Sequence, residues 1–193
     1  TGVDSLTVEI FKLPTTTASN VLKKIGDPDF LLSPSSNSTG SFSYSTLTPG
    51  IVSISGDSVS ILAVGSTVVS ITQQSAGQYS SKTVSFTITV NKADPIISAP
   101  DITKLFTDPD FTISLASSST ASFTFSTLSS GVVSITNTGN VSIIVAGSTI
   151  VSATQAQDIN YNSKTVTFTI TINKAMQSVS WTPPYTAVYG DAP

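Results

Sequence analysis

The segment Ser81-Lys82-Thr83-Val84-Ser85-Phe86-Thr87-Ile88-Thr89-Val90-Asn91-Lys92-Ala93 returns almost unchanged, 82 residues downstream, as Ser163-Lys164-Thr165-Val166-Thr167-Phe168-Thr169-Ile170-Thr171-Ile172-Asn173-Lys174-Ala175. In both copies apolar residues alternate with Thr or Ser, the period of two that marks a strand with one dry and one wet face. Val84, Phe86, Ile88 and Val90 therefore point inward, as do Val166, Phe168, Ile170 and Ile172. A repeat at this spacing makes the chain a tandem array, and every other feature is read within one period.

Alignment of the copies defines the unit. Pro14 to Ser55 match Pro95 to Thr136 at an offset of 81, and Val59 to Ala93 match Val141 to Ala175 at 82. The extra residue falls in the turn around Gly56-Asp57 and Thr138-Gly139-Asn140, where a loop tolerates it. The expected organisation is 1–13 as the last strand of a preceding unit, 14–93 and 94–175 as two repeats, and 176–193 as the start of a truncated third. The last assignment rests on Tyr189-Gly190-Asp191, which matches Ile25-Gly26-Asp27 and Phe106-Thr107-Asp108. The chain begins at Thr1 with no leader-type segment, as expected of a mature product or a fragment.

Seven short strands are expected in the second repeat: Ile96 to Phe106 (interrupted at Pro100), Phe111 to Ala116, Ser122 to Leu128, Val132 to Thr136, Val141 to Val145, Ser148 to Gln155 and Lys164 to Asn173. Their inward residues are Phe111, Ile113, Leu115, Phe123, Phe125, Val133, Ile135, Val141, Ile143, Val145, Val151 and Ala153. In the first repeat Phe30, Leu32, Phe42, Tyr44, Val52, Ile54, Val59, Ile61, Val69 and Ile71 supply the same pattern. The fold class is all-β: tandem seven-stranded immunoglobulin-like β-sandwiches in a rod. The junction Asn91-Lys92-Ala93-Asp94-Pro95 has no Gly/Ser spacer and is stiffened by Pro95. Each unit should span roughly 35–40 Å.

Composition narrows the function. Thr, Ser, Val and Ile dominate a chain that is 39% apolar and only 10% charged. A net charge of −3 with no Arg leaves no basic stripe for nucleic acid. No run reaches the ~18 apolar residues that would cross a bilayer. With no His and no Cys, neither a nucleophilic triad nor a zinc site can be built. The paired acids are Asp27 with Asp29 and Asp108 with Asp110, each flanking a Pro before a strand. A turn role leads; a Ca²⁺ site helped by Asp57 or Asp158 is the second reading, without the bidentate Glu of an EF-hand loop. Glycosidase-type use of the pairs comes last, since both repeats carry one. Tyr79 and Tyr161, just before the final strands, either cap the core through their hydroxyls or contact a ligand such as a sugar. Lys82, Lys164, Lys92 and Lys174 read as solvated groups that keep sticky strands from aggregating, ahead of an isopeptide staple with a nearby Asn. Val8 to Leu13 could complete a sheet in a neighbouring chain by strand addition.

The Asp-Pro-Asp-Phe motif (27–30, 108–111), the Ala146 to Ala156 segment and the Asn-Lys-Ala exit resemble the tandem bacterial immunoglobulin-like repeats of large surface adhesins, also found in phage and virus fibres. The resemblance covers Leu13 to Ala175. It implies a non-enzymatic stalk or extracellular filament subunit with no cofactor, whose partners are neighbouring repeats or copies of itself. A module binding glycan or a surface protein through Ser35 to Ser41 and Gln155 to Asn162 is the alternative.

Overall fold

A computed structural model of the chain describes residues 9–129 and 131–181. Thr7-Val8 of the expected leading strand, and Tyr185 and Tyr189 to Asp191 of the expected third repeat, lie outside the described residues. Among those described, every regular element is a β-strand. By contacts the chain forms two compact units. Of the described residues, the first takes those up to Ile97 with Ser117–Ser122 and Gln155–Lys164; the second takes Ser98–Ala116, those between Phe123 and Thr154, and those from Thr165 on.

In the first unit the strands are β1 (Val21–Lys24), β2 (Phe30–Leu31), β3 (Phe42–Thr46), β4 (Val52–Ser55), β5 (Ser58–Ile61), β6 (Gly65–Gln73) and β7 (Lys82–Asn91). They form two sheets, ordered β1-β7-β6-β3 and β2-β5-β4. The long β6–β7 ladder is antiparallel and runs from Gly65↔Val90 to Gln73↔Lys82. On its wet face hydroxyls pair across the strands, Ser70 with Ser85 at 3.1 Å and Thr72 with Thr83 at 2.9 Å. Those pairs explain why Thr and Ser, rather than charged residues, alternate with the apolar positions.

The leading segment serves both sheets. Thr17 bridges Ser35 beside the second sheet, and four residues later β1 joins β7 in parallel, from Val21↔Ile88 to Lys24↔Asn91. A first strand divided in this way, with the last strand beside it and a three-stranded sheet opposite, is the immunoglobulin-type Greek key. Two side-chain acceptors ease the parallel join: Asn20 Oδ1 takes the Thr87 N–H at 2.8 Å, and Asp101 Oδ1 takes the Thr169 N–H at 2.7 Å.

The remaining strands are β8 (Ile97–Ser98), β9 (Ile102–Leu105), β10 (Phe111–Thr112), β11 (Ala116–Ser117), β12 (Phe123–Thr127), β13 (Val133–Ile135), β14 (Asn140–Ile143), β15 (Gly147–Gln155) and β16 (Lys164–Asn173). Seven of them form sheets ordered β12-β15-β16-β9 and β10-β14-β13, the same order built a second time, and β11 pairs with β8 in a two-stranded sheet. β9 lies parallel to β16, Ile102 opposite Ile170. The interruption expected at Pro100 falls between β8 and β9.

Each unit closes its own core. Leu32, Val52, Val59, Val69, Ile71, Phe86, Ile88 and Val90 fill the first, and Ile113, Phe125, Val133, Val141, Val151, Ala153, Phe168, Ile170 and Ile172 the second. Burying each such aliphatic side chain is worth about 1.5–3 kcal/mol, which lets packing hold the sheets without a disulfide. Two expectations need correction. Phe111 to Ala116 is not one strand: the β14 ladder ends at Thr112, the Ile113 N–H still reaches the Gly139 carbonyl at 2.9 Å, and regular strand structure returns only at Ala116–Ser117. Val145 is 49% exposed. β14 ends at Ile143, and the N–H groups of Ile144 and Val145 both turn to the Val132 carbonyl, so the alternation loses its phase there.

Candidate functional site

The Asp-Pro-Asp segments fasten turns. Asp27 follows β1; its carboxylate accepts the Lys24 N–H at 2.9 Å, and its own N–H returns to the Lys24 carbonyl at 3.1 Å. Asp108 does the same to Leu105, at 3.0 Å in both directions. This reciprocal closure uses the Asx side chain to replace a backbone partner. The second acid faces the other way along the sheet. Asp29 Oδ2 accepts the Ser60 hydroxyl at 2.7 Å, and Asp110 Oδ2 the Ser142 hydroxyl at 2.7 Å. Each pair is thus divided between a turn and a cross-strand bond. Among the described residues no three acidic, His or Cys side chains gather where they could hold an ion. Asp57 lies in the β4–β5 turn, where its carbonyl accepts the Leu32 N–H at 2.8 Å.

Two glutamines organise the loops. The inward phase of β6 passes through Val69 and Ile71 to Gln73, which is fully buried. Its Oε1 accepts the hydroxyls of Thr16 at 2.8 Å and Ser36 at 2.5 Å, and its Nε2 donates to the carbonyls of Ser38 at 2.9 Å and Gly40 at 3.1 Å. One period on, Gln155 accepts from Ser117 at 2.6 Å and donates to the Ser119 and Ala121 carbonyls at 3.0 and 2.9 Å. A buried side-chain amide with its groups matched holds an irregular loop in one conformation. The loops so held are Ser35 to Ser41 and its counterpart 116–122.

The second glutamine reaches further. Ser119, on its loop, donates its hydroxyl to Asp158 Oδ2 at 2.7 Å, while Asp158 Oδ1 accepts the N–H groups of Asn160 and Tyr161, each at 2.7 Å. The Ser119 hydroxyl foremost, then the two backbone N–H groups and the Lys92 charge, hold the Asp158 carboxyl below the usual carboxylate range against a smaller opposing effect of burial. Lys92 Nζ itself donates to the Asp158 carbonyl. The equivalent position in the first repeat is Ala76, so among the described residues this arrangement occurs once.

Tyr79 and Tyr161 are half-buried in matching loops, and their backbones are what the structure employs. Tyr79 exchanges hydrogen bonds with Ala76, and Tyr161 accepts the Asp158 N–H. Each also forms a parallel bridge, Tyr79 with Lys12 and Tyr161 with Ala93. Lys12 therefore has both backbone groups committed within its own unit, its N–H to Gln78 and its carbonyl to the Ser80 N–H. Of the segment considered for strand addition, this residue is already paired. The lysines expected to be solvated also serve the backbone. Lys82 Nζ donates to the buried Pro14 carbonyl at 2.8 Å, and Lys164 Nζ to that of Pro95 at 2.9 Å. A proline supplies no N–H but keeps its acceptor, and the ammonium satisfies it.

The arrangement defines immunoglobulin-type sandwich repeats whose polar chemistry is spent on turns, loops and junction strands. No family model matches the chain, and no curated protein matches it. Solved structures similar to it include Drosophila N-cadherin EC1-3, at 14% identity over 85% of this chain and 68% of that one, with a TM-score of 0.38. Human protocadherin-24 EC1-2 is similar at 13% identity over 86% and 99% of the two chains, with a TM-score of 0.36. Domains 1-6 of the surface layer protein SbsC match at 16% identity over 70% of this chain and 20% of that chain, with a TM-score of 0.36.

Proposed function

We propose that the chain is a non-enzymatic structural or adhesive protein, a tandem immunoglobulin-like stalk or filament segment working outside the cell, with repeats at 14–93 and 94–175. One observation carries this reading: the same two-sheet strand order is built twice, each time around its own core. The acidic pairs support it, because Asp27, Asp29, Asp108 and Asp110 all act as hydrogen-bond acceptors within their own turns and ladders. A spacer needs units that fold separately and resist extension. Pulling the chain by its ends tests this. The expected trace has two unfolding events, each releasing about 25 nm, the extended length of some 80 residues less the span of the folded unit. A single event covering both repeats, or none, would overturn the reading.

The loops favour a second reading, a glycan- or protein-binding module. Gln73 and Asp158 hold exposed polar loops rigid, which lowers the ordering cost of binding a partner. Saturable binding on a glycan array, lost on Tyr161→Ala, would favour this alternative; a blank array and an unaffected pull-down would leave the stalk.

A further inference from the structure

The first unit shows how the chain leaving a last strand is secured. Beyond β7, Ala93 donates its N–H to the Asn160 carbonyl at 3.0 Å and accepts the Asn162 N–H at 2.9 Å, while Asn162 Nδ2 reaches Asp94 Oδ1 at 2.8 Å. Lys92 Nζ meets the Asp158 carbonyl, and Asn162 lines a hollow of about 450 Å³ with Lys24, Val64, Asn91 and Lys92. The loop 155–164 thus adds a single parallel bridge, Tyr161 beside Ala93, to the exit of β7.

The exit of β16 carries the same elements one period later. Ala175 stands for Ala93, Lys174 for Lys92, and Val145-Ala146 for Ala63-Val64. Phe106, Val145, Ala146, Lys174 and Ala175 line a hollow of about 300 Å³ in the second unit. Phe106 is 48% and Val145 49% exposed, and Lys174 is exposed where Lys92 is half-buried. Among the described residues neither backbone group of Ala175 has a hydrogen-bond partner. Exposed apolar side chains beside backbone that has no partner among the described residues form an edge suited to strand addition.

We infer that this exit is a docking surface for the loop of a further repeat of the same kind, one supplying the backbone pattern of Asn160 to Asn162. The occupant is another repeat joined after Ala175, because in a second copy of this chain the loop 155–164 is already taken by its own Ala93. The inference rests on the array reading above and adds to it the surface through which the array is extended.

The test inserts a second copy of residues 94–175 between Ala175 and Met176 of the full chain and follows amide hydrogen exchange. Exchange at Ala175 should slow by at least about tenfold, approaching that of Ala93 in the same molecule. Val145→Asp, which places a charge in the hollow, should return it to the rate of the parent chain and leave Ala93 protected. If the inserted copy protects its own core amides while Ala175 exchanges as before, the docking surface is refuted and the array stands. If the inserted copy fails to protect its core, the array reading fails and the docking surface with it. Slow exchange at Ala175 in the parent chain, lost when 182–193 are deleted, would make the chain's own terminus the occupant and overturn the proposal.

Discussion

Thr16 and Gln73, 57 residues apart, meet in the interior of the first unit through a hydrogen bond of 2.8 Å from the threonine hydroxyl to Gln73 Oε1. Among the described residues the glutamine is the only side chain donating to the Ser38 and Gly40 carbonyls, so its loss strands polar atoms on both sides. Gln73→Leu should destabilise the first unit by about 2–4 kcal/mol, the cost of orphaning more than one buried partner. Gln155→Leu should cost somewhat less, because Ile97 occupies the position of Thr16 and one hydroxyl fewer is orphaned. Urea denaturation of both variants measures this. Values near zero would mean that the loop carbonyls turn to water without penalty.

Separate cores imply separate stabilities. Ile170 is fully buried at the centre of the second core, and Ile170→Ala should cost about 2–5 kcal/mol there. Exchange at the Ile88 amide, its counterpart in the first unit, should not change, since distant sites without shared partners act additively. Val145→Ala, at an exposed position, should stay within about 0.5 kcal/mol. Parallel loss of protection at Ile88 and Ile170 would show one cooperative unit instead of two.

The alternation of Phe168, Ile170 and Ile172 made the core legible before any coordinates, because a sheet with one wet face records its inner side in every second residue. The same alternation, continued through Val69 and Ile71, points Gln73 inward; a polar side chain at an inner position in both repeats was an available signal of the loop clamp. Lys82 and Lys164 were harder to read. Their partner is a proline carbonyl 68 or 69 residues away, and a backbone acceptor leaves no mark in the side-chain pattern. Val145 was misplaced because periodicity holds only while the ladder lasts. The Asp-Pro-Asp turns were legible as turns, whereas the opposed duties of the two acids depend on cross-strand neighbours.

Gly65 and Gly147 open β6 and β15, and the repeat of Gly-Ser-Thr at 65–67 and 147–149 has a backbone cause. Their φ angles, +150° and +156°, lie where L-residues are strained. A Cβ at Gly65 would stand 2.6 Å from Ile51 Cδ1, and one at Gly147 3.1 Å from Val132 Cγ2. Gly65→Ala should therefore cost about 1–3 kcal/mol by denaturation. Gly147→Ala should cost less, since its neighbour needs to give only slightly. Equal costs would assign the effect to backbone strain alone.

Acid should loosen one loop and spare its counterpart. Asp158 is held below its unfolded value by the Ser119 hydroxyl and the Asn160 and Tyr161 N–H groups. A carboxyl lowered in the folded state contributes stability above its unfolded value, about pH 4, and that contribution fades as pH falls through the lowered folded value. The Asn160 and Tyr161 amide resonances should therefore move together with Ser119 as pH drops below about 4. Ala76 carries no carboxylate, so the Gln78 to Ser80 amides in the first unit serve as the internal control. Asp158→Asn should remove the transition, since the amide keeps an oxygen acceptor but does not titrate. If both loops shifted alike in the unaltered chain, the acid response would belong to the sandwiches as a whole, and the Asp158 fastening would lose its distinct role.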